Sequence, residues 1–331
     1  NDSTGSSSSS SSTTTSSRRI LLLDAGYGFP REKKVRKEKI NAIASQLSNF
    51  LVWQTTATAT SATECQQQED YYALVRVVGC PDDNTKTLLE NRTIDNMNKN
   101  YTKQKQRAAA VAGNADANAD ATATPRPPGS VPAVSLTSLP PHVTITCESL
   151  EECLQLYALD GTNATGVAAA TAIPTTTTPD CCYLSPDAEQ SLNPAEAPPR
   201  IAIVGLLIDR RVQPNRSRDR AANLATNTNI TIAARRWPLE ECFDEIDPCE
   251  PLNVDCVLEG MQQWWWNRAN YTRNVVHGSS SKESKSNDTT SMLLDNKETF
   301  VQAVAQAIEH HAQRHPSRPL HIVNRSDASS D

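Results

Sequence analysis

The sequence predicts an α/β fold built on a parallel sheet, and three observations predict it. Ile201 to Ile208 (IAIVGLLI) is a near-unbroken aliphatic run, the pattern of a strand covered on both faces. Arg19 to Asp24 (RILLLD) repeats that pattern near the amino end. Between and after these two runs, shorter strand-like stretches alternate with segments whose apolar residues recur at helical spacing, as in strand–helix–strand units. No glycine-rich phosphate loop accompanies them, neither GxGxxG nor GKS/T.

Taken in order, residues 1–17 are a Ser/Thr tract with nothing to bury, expected to be disordered. The strand Arg19 to Asp24 ends in an acid and leads into a glycine-bearing turn, Gly26 to Pro30. From Val35 to Leu51 the spacing of Ile40, Ile43, Ala44, Leu47 and Leu51 predicts a helix. Its entrance carries Lys33, Lys34, Arg36 and Lys37. Cations at a helix start oppose the helix dipole, so this cluster suits either an anionic partner or a solvated face. Residues 55–70 read as polar linker and Tyr71 to Val78 as a second strand. Residues 102–141 form an Ala/Asn/Asp/Pro-rich insertion with a short strand expected near Val134–Leu136. His142 to Thr146 alternates as a strand. Ser149 and Glu152 then make a capping box opening a short helix through Leu150, Cys153, Leu154 and Tyr157. A low-complexity segment, 160–180, precedes Cys181 to Asp187 (CCYLSPD), a strand running into a polar turn.

After the central run, Gln213 to Arg216 reads as a turn, Arg218 to Ala225 as a short helix and Ile230 to Ala234 as a strand. From Leu252 a helix is expected, with apolar residues at 254, 257, 258, 261 and 265. A linker over 278–291 separates it from a last helix near 297–314, with Phe300, Val301, Val304, Ala307 and Ile308 on one face. One domain over 18–325, stretched by low-complexity insertions near 55–70, 102–141, 160–180 and 278–291, accounts for the pattern.

Composition agrees with a modest core in a long chain. Apolar residues are 37% of the 331, against roughly 45–50% in an ordinary globular chain. The net charge of −6 speaks against a nucleic-acid partner only if it is spread evenly. Here the basic residues cluster and the acids are scattered. Nine cysteines include no CxxC and no Cys/His spacing that suits zinc, so no metal is expected. An odd, unpatterned count fits reduced thiols inside the cell. No apolar run approaches the ~20 residues of a membrane span, and the chain reads as soluble.

The chemistry-bearing residues gather around the central run. It carries one glycine, Gly205, and stops at one acid, Asp209, followed by Arg210 and Arg211. In open α/β sheets ligands bind beyond the carboxyl ends of the central strands, so an acid placed there suits chemistry. It equally suits a buried strand whose first exposed residues are charged. Arg216, Arg218 and Arg220 extend the basic loop.

Three segments, in this order, resemble one family. Tyr183-Leu184-Ser185-Pro186-Asp187 is similar to Tyr-Leu-Ser/Thr-x-Asp, and Gly205-Leu206-Leu207-Ile208-Asp209-Arg210 to Gly-Gly-Leu-Val-Asp-Arg/Lys. The spacing from Asp209 through Ser217 and Arg220 to Ala221 matches the loop that follows. Arg236-Trp237-Pro238-Leu239 resembles Arg-Leu-Pro-Ile/Leu, and Leu252 to Val257 (LNVDCV) resembles Leu-Thr-Val-Asn/Asp-Gln-Val. The family is that of the Trm10-type SPOUT methyltransferases, which methylate N1 of the purine at position nine of tRNA. Ile20 to Leu47 is similar to its first strand and helix. The chain departs from the pattern with Leu206 in place of a second glycine, Trp237 in place of Leu and Arg211 where Asn is common.

The resemblance implies a SPOUT-type parallel sheet flanked by helices, with a carboxyl-terminal trefoil knot that binds S-adenosylmethionine. On this reading Leu184, Gly205, Leu207, Ser217, Ala221, Trp237, Leu239, Leu252 and Val254 hold the cofactor. Asp209 takes the N1 proton of guanine or positions the reactants. Arg210, Arg211, Arg216, Arg218 and Arg220, with Lys33, Lys34, Arg36 and Lys37, hold RNA phosphates. The partner is tRNA, and the protein is a monomer or joins an RNA-processing partner. It is placed in the nucleus or cytoplasm, with the mitochondrion as second choice. Two other classes stay open: a noncatalytic RNA-binding subunit, motivated by Leu206 and Trp237, and an unrelated α/β enzyme.

Overall fold

A computed structural model of the chain describes residues 18–61, 72–115, 135–162, 180–206, 215–228, 230–243, 252–278 and 289–314. Six strands run parallel in one sheet: β1 Ile20–Asp24, β2 Leu74–Val78, β3 Val143–Ile145, β4 Cys181–Leu184, β5 Ile201–Gly205 and β6 Ile232–Arg235. Their spatial order is β3-β2-β1-β5-β4-β6. The two most aliphatic runs of the sequence thus lie side by side at the centre, with Ile20 opposite Ile201 and Asp24 opposite Gly205. The trefoil threading implied by the resemblance turns on the paths of 207–214 and 244–251, which lie outside the described residues, as does the tract 1–17.

Because successive side chains of a strand point to opposite faces, each central strand feeds two cores. Leu21, Leu23, Ala202, Val204, Cys182 and Leu184 point into the larger one. It is covered by α1 (Lys33–Ser61), α2 (Asp83–Ala115), α6 (Val254–Gly278) and α7 (Thr289–Arg314). Ile20, Leu22, Ile201, Ile203, Cys181 and Tyr183 point into the smaller one, beneath α3 (Leu150–Thr162) and α4 (Arg216–Thr228). The helix after β1 therefore covers one face of the sheet and the helix after β5 the other. In open α/β sheets such a divergence, at the carboxyl ends of the two strands, is where ligands bind.

Several helices are longer than their apolar spacing suggests. Helix α1 runs through to Ser61, into the stretch that composition marks as linker. Its threonines are accommodated because Thr55 and Thr56 donate their hydroxyls back to the carbonyls of Leu51 and Val52, at 3.1 and 2.9 Å. Helix α2 has no counterpart among the sequence expectations and reaches Ala115, within the presumed insertion. It is capped by Asp82, whose Oδ1 accepts from the Thr85 N–H at 2.6 Å, and it buries Thr85, Leu89, Thr93 and Met97 at four-residue intervals. Residues 135–141 contain no strand, while Val134 lies outside the described residues. The last helix begins at Thr289, before the expected 297.

Helices α6 and α7 meet around wholly buried Glu259, 2.5 Å from Arg314 Nη1 and 3.4 Å from His310 Nδ1. Burial pushes the Glu259 carboxyl up, against the pull of these two partners. The capping box at α3 is present as expected. Ser149 N–H donates to Glu152 Oε2 at 2.7 Å, and Glu152 N–H donates to Ser149 Oγ at 3.2 Å. The Ser149 N–H and hydroxyl hold the Glu152 carboxyl below its usual range. Ser149→Ala is expected to lower the unfolding free energy by about 1 kcal/mol. An unchanged urea midpoint would show that α3 is held by its tertiary packing alone.

Candidate functional site

At the carboxyl end of β1, the Asp24 side chain is wholly buried. It lies on the α3/α4 face of the sheet because β1 alternates, and a buried carboxylate there needs partners. Three donors serve it: the Gly26 N–H at 2.8 Å to Oδ1, and the Tyr183 hydroxyl at 3.2 Å and Arg220 Nε at 3.1 Å to Oδ2. Arg220 also donates from Nη1 to Glu151 Oε1 at 2.8 Å. One guanidinium therefore ties β1, α3 and α4 together. Arg220, expected from the sequence on RNA phosphate, is paired here with the carboxylates of Asp24 and Glu151.

The turn after β1 folds back over this network. Tyr27 hydrogen-bonds through its hydroxyl to that of Tyr183. Its ring lies against Gly205, where an added Cβ would come within 2.8 Å of Tyr27 Cε2 and 2.9 Å of its Oη. A side chain at this position would require the Tyr27 ring to shift. Arg216 lies over the other side of the ring, 5.3 Å from its centroid, and donates Nη2 to the Tyr27 carbonyl at 2.8 Å. Leu206, the departure beside Gly205, is buried in the larger core and donates its N–H to the Asp24 carbonyl at 2.9 Å.

The segments that carry the family resemblance converge at this end of the sheet. Ser185 and Ser217, from two of them, are hydrogen-bonded through their hydroxyls at 2.6 Å. Asp187 Oδ2 accepts from the Asn215 N–H at 2.8 Å, fixing the entrance to α4. Asn215 itself has φ 63°, in the left-handed region that asparagine tolerates better than most residues. Beyond β6, the Ser185 N–H donates to the Arg235 carbonyl, and Ser191 pairs with Arg236.

The expected cofactor residues divide between the two faces. Leu184, Trp237, Leu239, Leu252 and Val254 pack with the larger core, all but Leu184 half-buried. Ala221 is buried in the smaller core, and Ser217 is buried at its upper edge. Trp237 lies across Gly260 of α6, where a Cβ would meet its ring at 2.9 Å, and 5.4 Å from the Phe300 centroid. The large residue at 237 is thus matched by the absent side chain at 260. Trp237 Nε1 is buried without a hydrogen-bond partner among the described residues.

The remaining expected residues are scattered. Leu207, Asp209, Arg210 and Arg211 lie outside the described residues. Arg218 is half-exposed, 3.9 Å from Glu189 and 3.8 Å from Asp219. At the entrance of α1, Lys33, Lys34 and Lys37 are exposed. Arg36 instead reaches Asp82 at 2.5 Å and Thr85, bracing α1 against the start of α2. Arg36, like Arg220, is thus paired with an acid of another element. The Asp82 carboxyl, bonded by the Thr85 hydroxyl and N–H and by Arg36, is lowered to about 2.

No protein-family model and no curated protein matches the chain. Among solved structures, it is similar to a dual-specific Trm10 from Thermococcus kodakaraensis, at 10% identity and a TM-score of 0.37, over 86% of this chain and 99% of that one. A likeness at that level transfers neither fold nor function. Among the described residues no cluster of His, Cys, Asp or Glu is arranged to hold a metal ion, and no helix is long and apolar enough to cross a membrane.

The hydrogen-bonded cluster of Asp24, Tyr27 and Tyr183 was not foreseen from the sequence. The acid ending an apolar strand was a visible signal for Asp24, since it repeats the form of the central run. Nothing local marks Tyr27, which acquires its place only when β1 and β5 pair.

Proposed function

We propose that the chain is an S-adenosylmethionine-dependent tRNA methyltransferase that modifies N1 of the purine at position nine, with guanine favoured. The observation that supports this reading most is the meeting of the motif segments at one end of a parallel sheet, through Ser185–Ser217 and Asp187–Asn215.

In this reading Trp237, Leu239, Leu252 and Val254 hold the adenine of S-adenosylmethionine, which supplies the methyl group when bound. Asp209 takes the proton that leaves guanine N1, a role that needs a carboxylate within hydrogen-bond reach. Asp24 is held in place by its three donors, Gly26, Tyr183 and Arg220, at the carboxyl end of β1. Lys33, Lys34 and Lys37, with Arg210, Arg211, Arg216 and Arg218, meet phosphates around a base turned out of its stack.

The test is incubation of the full chain with labelled S-adenosylmethionine and unmodified tRNA, the product nucleoside being identified by mass. N1-methylguanosine at position nine is expected. Absence of both methyl transfer and S-adenosylhomocysteine binding refutes the reading. Binding without transfer favours a second one, a noncatalytic RNA-binding subunit. The observation on its side is that Tyr27 fills the space over Gly205.

A further inference from the structure

The carboxyl half of α2 carries charge that the fold itself does not use. Residues 96–115 contain Lys99, Lys103, Lys105 and Arg107 and no acid, in a chain whose net charge is −6. The helix is fixed from its core side. Met97 is buried, Tyr101 hydrogen-bonds through its hydroxyl to Thr55, and the Asn98 amide exchanges two hydrogen bonds with the Leu136 backbone, at 2.9 and 3.1 Å. Lys99, Lys103 and Lys105 are exposed, and no carboxylate among the described residues pairs with them. Arg92, two turns earlier, has Asp95 at 3.9 Å. Lys99 and Lys103 are four residues apart and so share one face, where like charges destabilise a helix. The helix runs on to Ala115, so neither lies in the last turn, where the dipole would favour a cation. With Asn98 and Thr102 they line a shallow concavity of about 370 Å³.

We infer that Lys99 and Lys103 form a second RNA-binding surface, which holds phosphates remote from the modified base. Helix α2 starts at the carboxyl end of β2 and runs back, because β3 lies parallel to β2. At 1.5 Å per residue, Lys99 and Lys103 stand about 24 and 30 Å along it from Asp83. The Asn98 amide bonds Leu136, in the segment that leads into the amino end of β3, so the pair lies at the opposite edge of the sheet from the motif segments. A folded RNA seated by one base at the motif end is long enough to reach that edge, and its backbone supplies the anions that the pair lacks. Anionic lipid fits less well, since the exposed large hydrophobics among the described residues, Val35 and Leu156, belong to other helices. The inference rests on the proposed tRNA substrate and adds a contact that no motif marks.

The test is equilibrium binding of the full chain to an unmodified tRNA transcript over a range of salt, beside the double variant Lys99→Ala/Lys103→Ala. Alanine is the best helix former, so the variant is expected to keep its fold, which its urea midpoint checks. One phosphate per lysine predicts that the slope of log affinity against log salt becomes shallower by roughly 1.5–2. Lys99→Arg/Lys103→Arg keeps both charges and is expected to retain the parent slope. An unchanged slope in the alanine variant, or an equal loss in the arginine variant, overturns the inference. So does lysine-dependent binding to phosphatidylserine vesicles with tRNA binding untouched, which would assign the face to a membrane. Methyl transfer scored on the same samples separates the inference from the parent proposal. A lysine-dependent slope without transfer refutes catalysis and keeps the second surface. Transfer with an unchanged slope does the reverse.

Discussion

Asp209→Asn is expected to slow single-turnover methylation of a guanine-nine tRNA by about 10²–10⁴-fold, the usual contribution of a general base. The substitution keeps the shape of the side chain and a hydrogen-bonding group, but the amide cannot accept the N1 proton. Affinity for cofactor and tRNA should change little. An adenine-nine tRNA, if it is turned over, should lose much less, because adenine N1 has no proton to remove. The two substrates thus form an internal control. Equal losses on both, or a loss traced to weaker cofactor binding, would make Asp209 a positioning residue. Asp24 would then be one of the carboxylates left at this end of the sheet, though its lone pairs are largely committed to Gly26, Tyr183 and Arg220.

The second large effect concerns stability. Asp24→Ala leaves the Tyr183 hydroxyl, the Gly26 N–H and one edge of the Arg220 guanidinium without the acceptor that a wholly buried carboxylate supplies. Removing one member of a buried, hydrogen-bonded ion pair typically costs about 3–5 kcal/mol. Arg220 is 25% exposed and keeps Glu151, so the lower end, about 3 kcal/mol, is expected. Asp24→Asn should cost less, since its amide oxygen still accepts from one or two of the donors. Chemical denaturation of the two variants beside the parent protein gives the comparison. A loss under about 1 kcal/mol for Asp24→Ala would mean that water reaches the cavity or that the Arg220–Glu151 pair holds α3 and α4 unaided.

What was legible in the sequence was whatever depends on near neighbours. The central strands announced themselves because a strand covered on both faces has no polar positions. Helix α6 showed through its apolar stripe, and the start of α3 through its capping box. Helix α2 escaped because two of the four residues on its buried stripe, Thr85 and Thr93, are threonines, which dilute the apolar periodicity. The cap at Asp82 was the surviving signal. Helix α1 was cut short for a related reason, since a tail of Ala and Thr reads as linker until its hydroxyls are seen to bond within the helix. The motif segments lie together at the carboxyl end of the sheet. They could not show that Arg36 and Arg220 are occupied by acids at positions 82, 151 and 24. Nor could they show that Trp237 is accommodated by a glycine on another helix. Those pairings exist only once distant elements have met.

The adjacency of β1 and β5 also sets an order of events for the chain as it is made. Strand β1 begins at Ile20, and one of its two neighbours does not begin until Ile201. Through the synthesis of all the intervening residues, at about 5–20 residues per second, the most aliphatic strand of the amino half presents an open edge. Pairing it with β2 protects only the other side. An uncovered aliphatic edge invites pairing with another chain, and closing so long a loop is slow. A nascent chain stopped between β3 and β5 is therefore the species most in need of a chaperone.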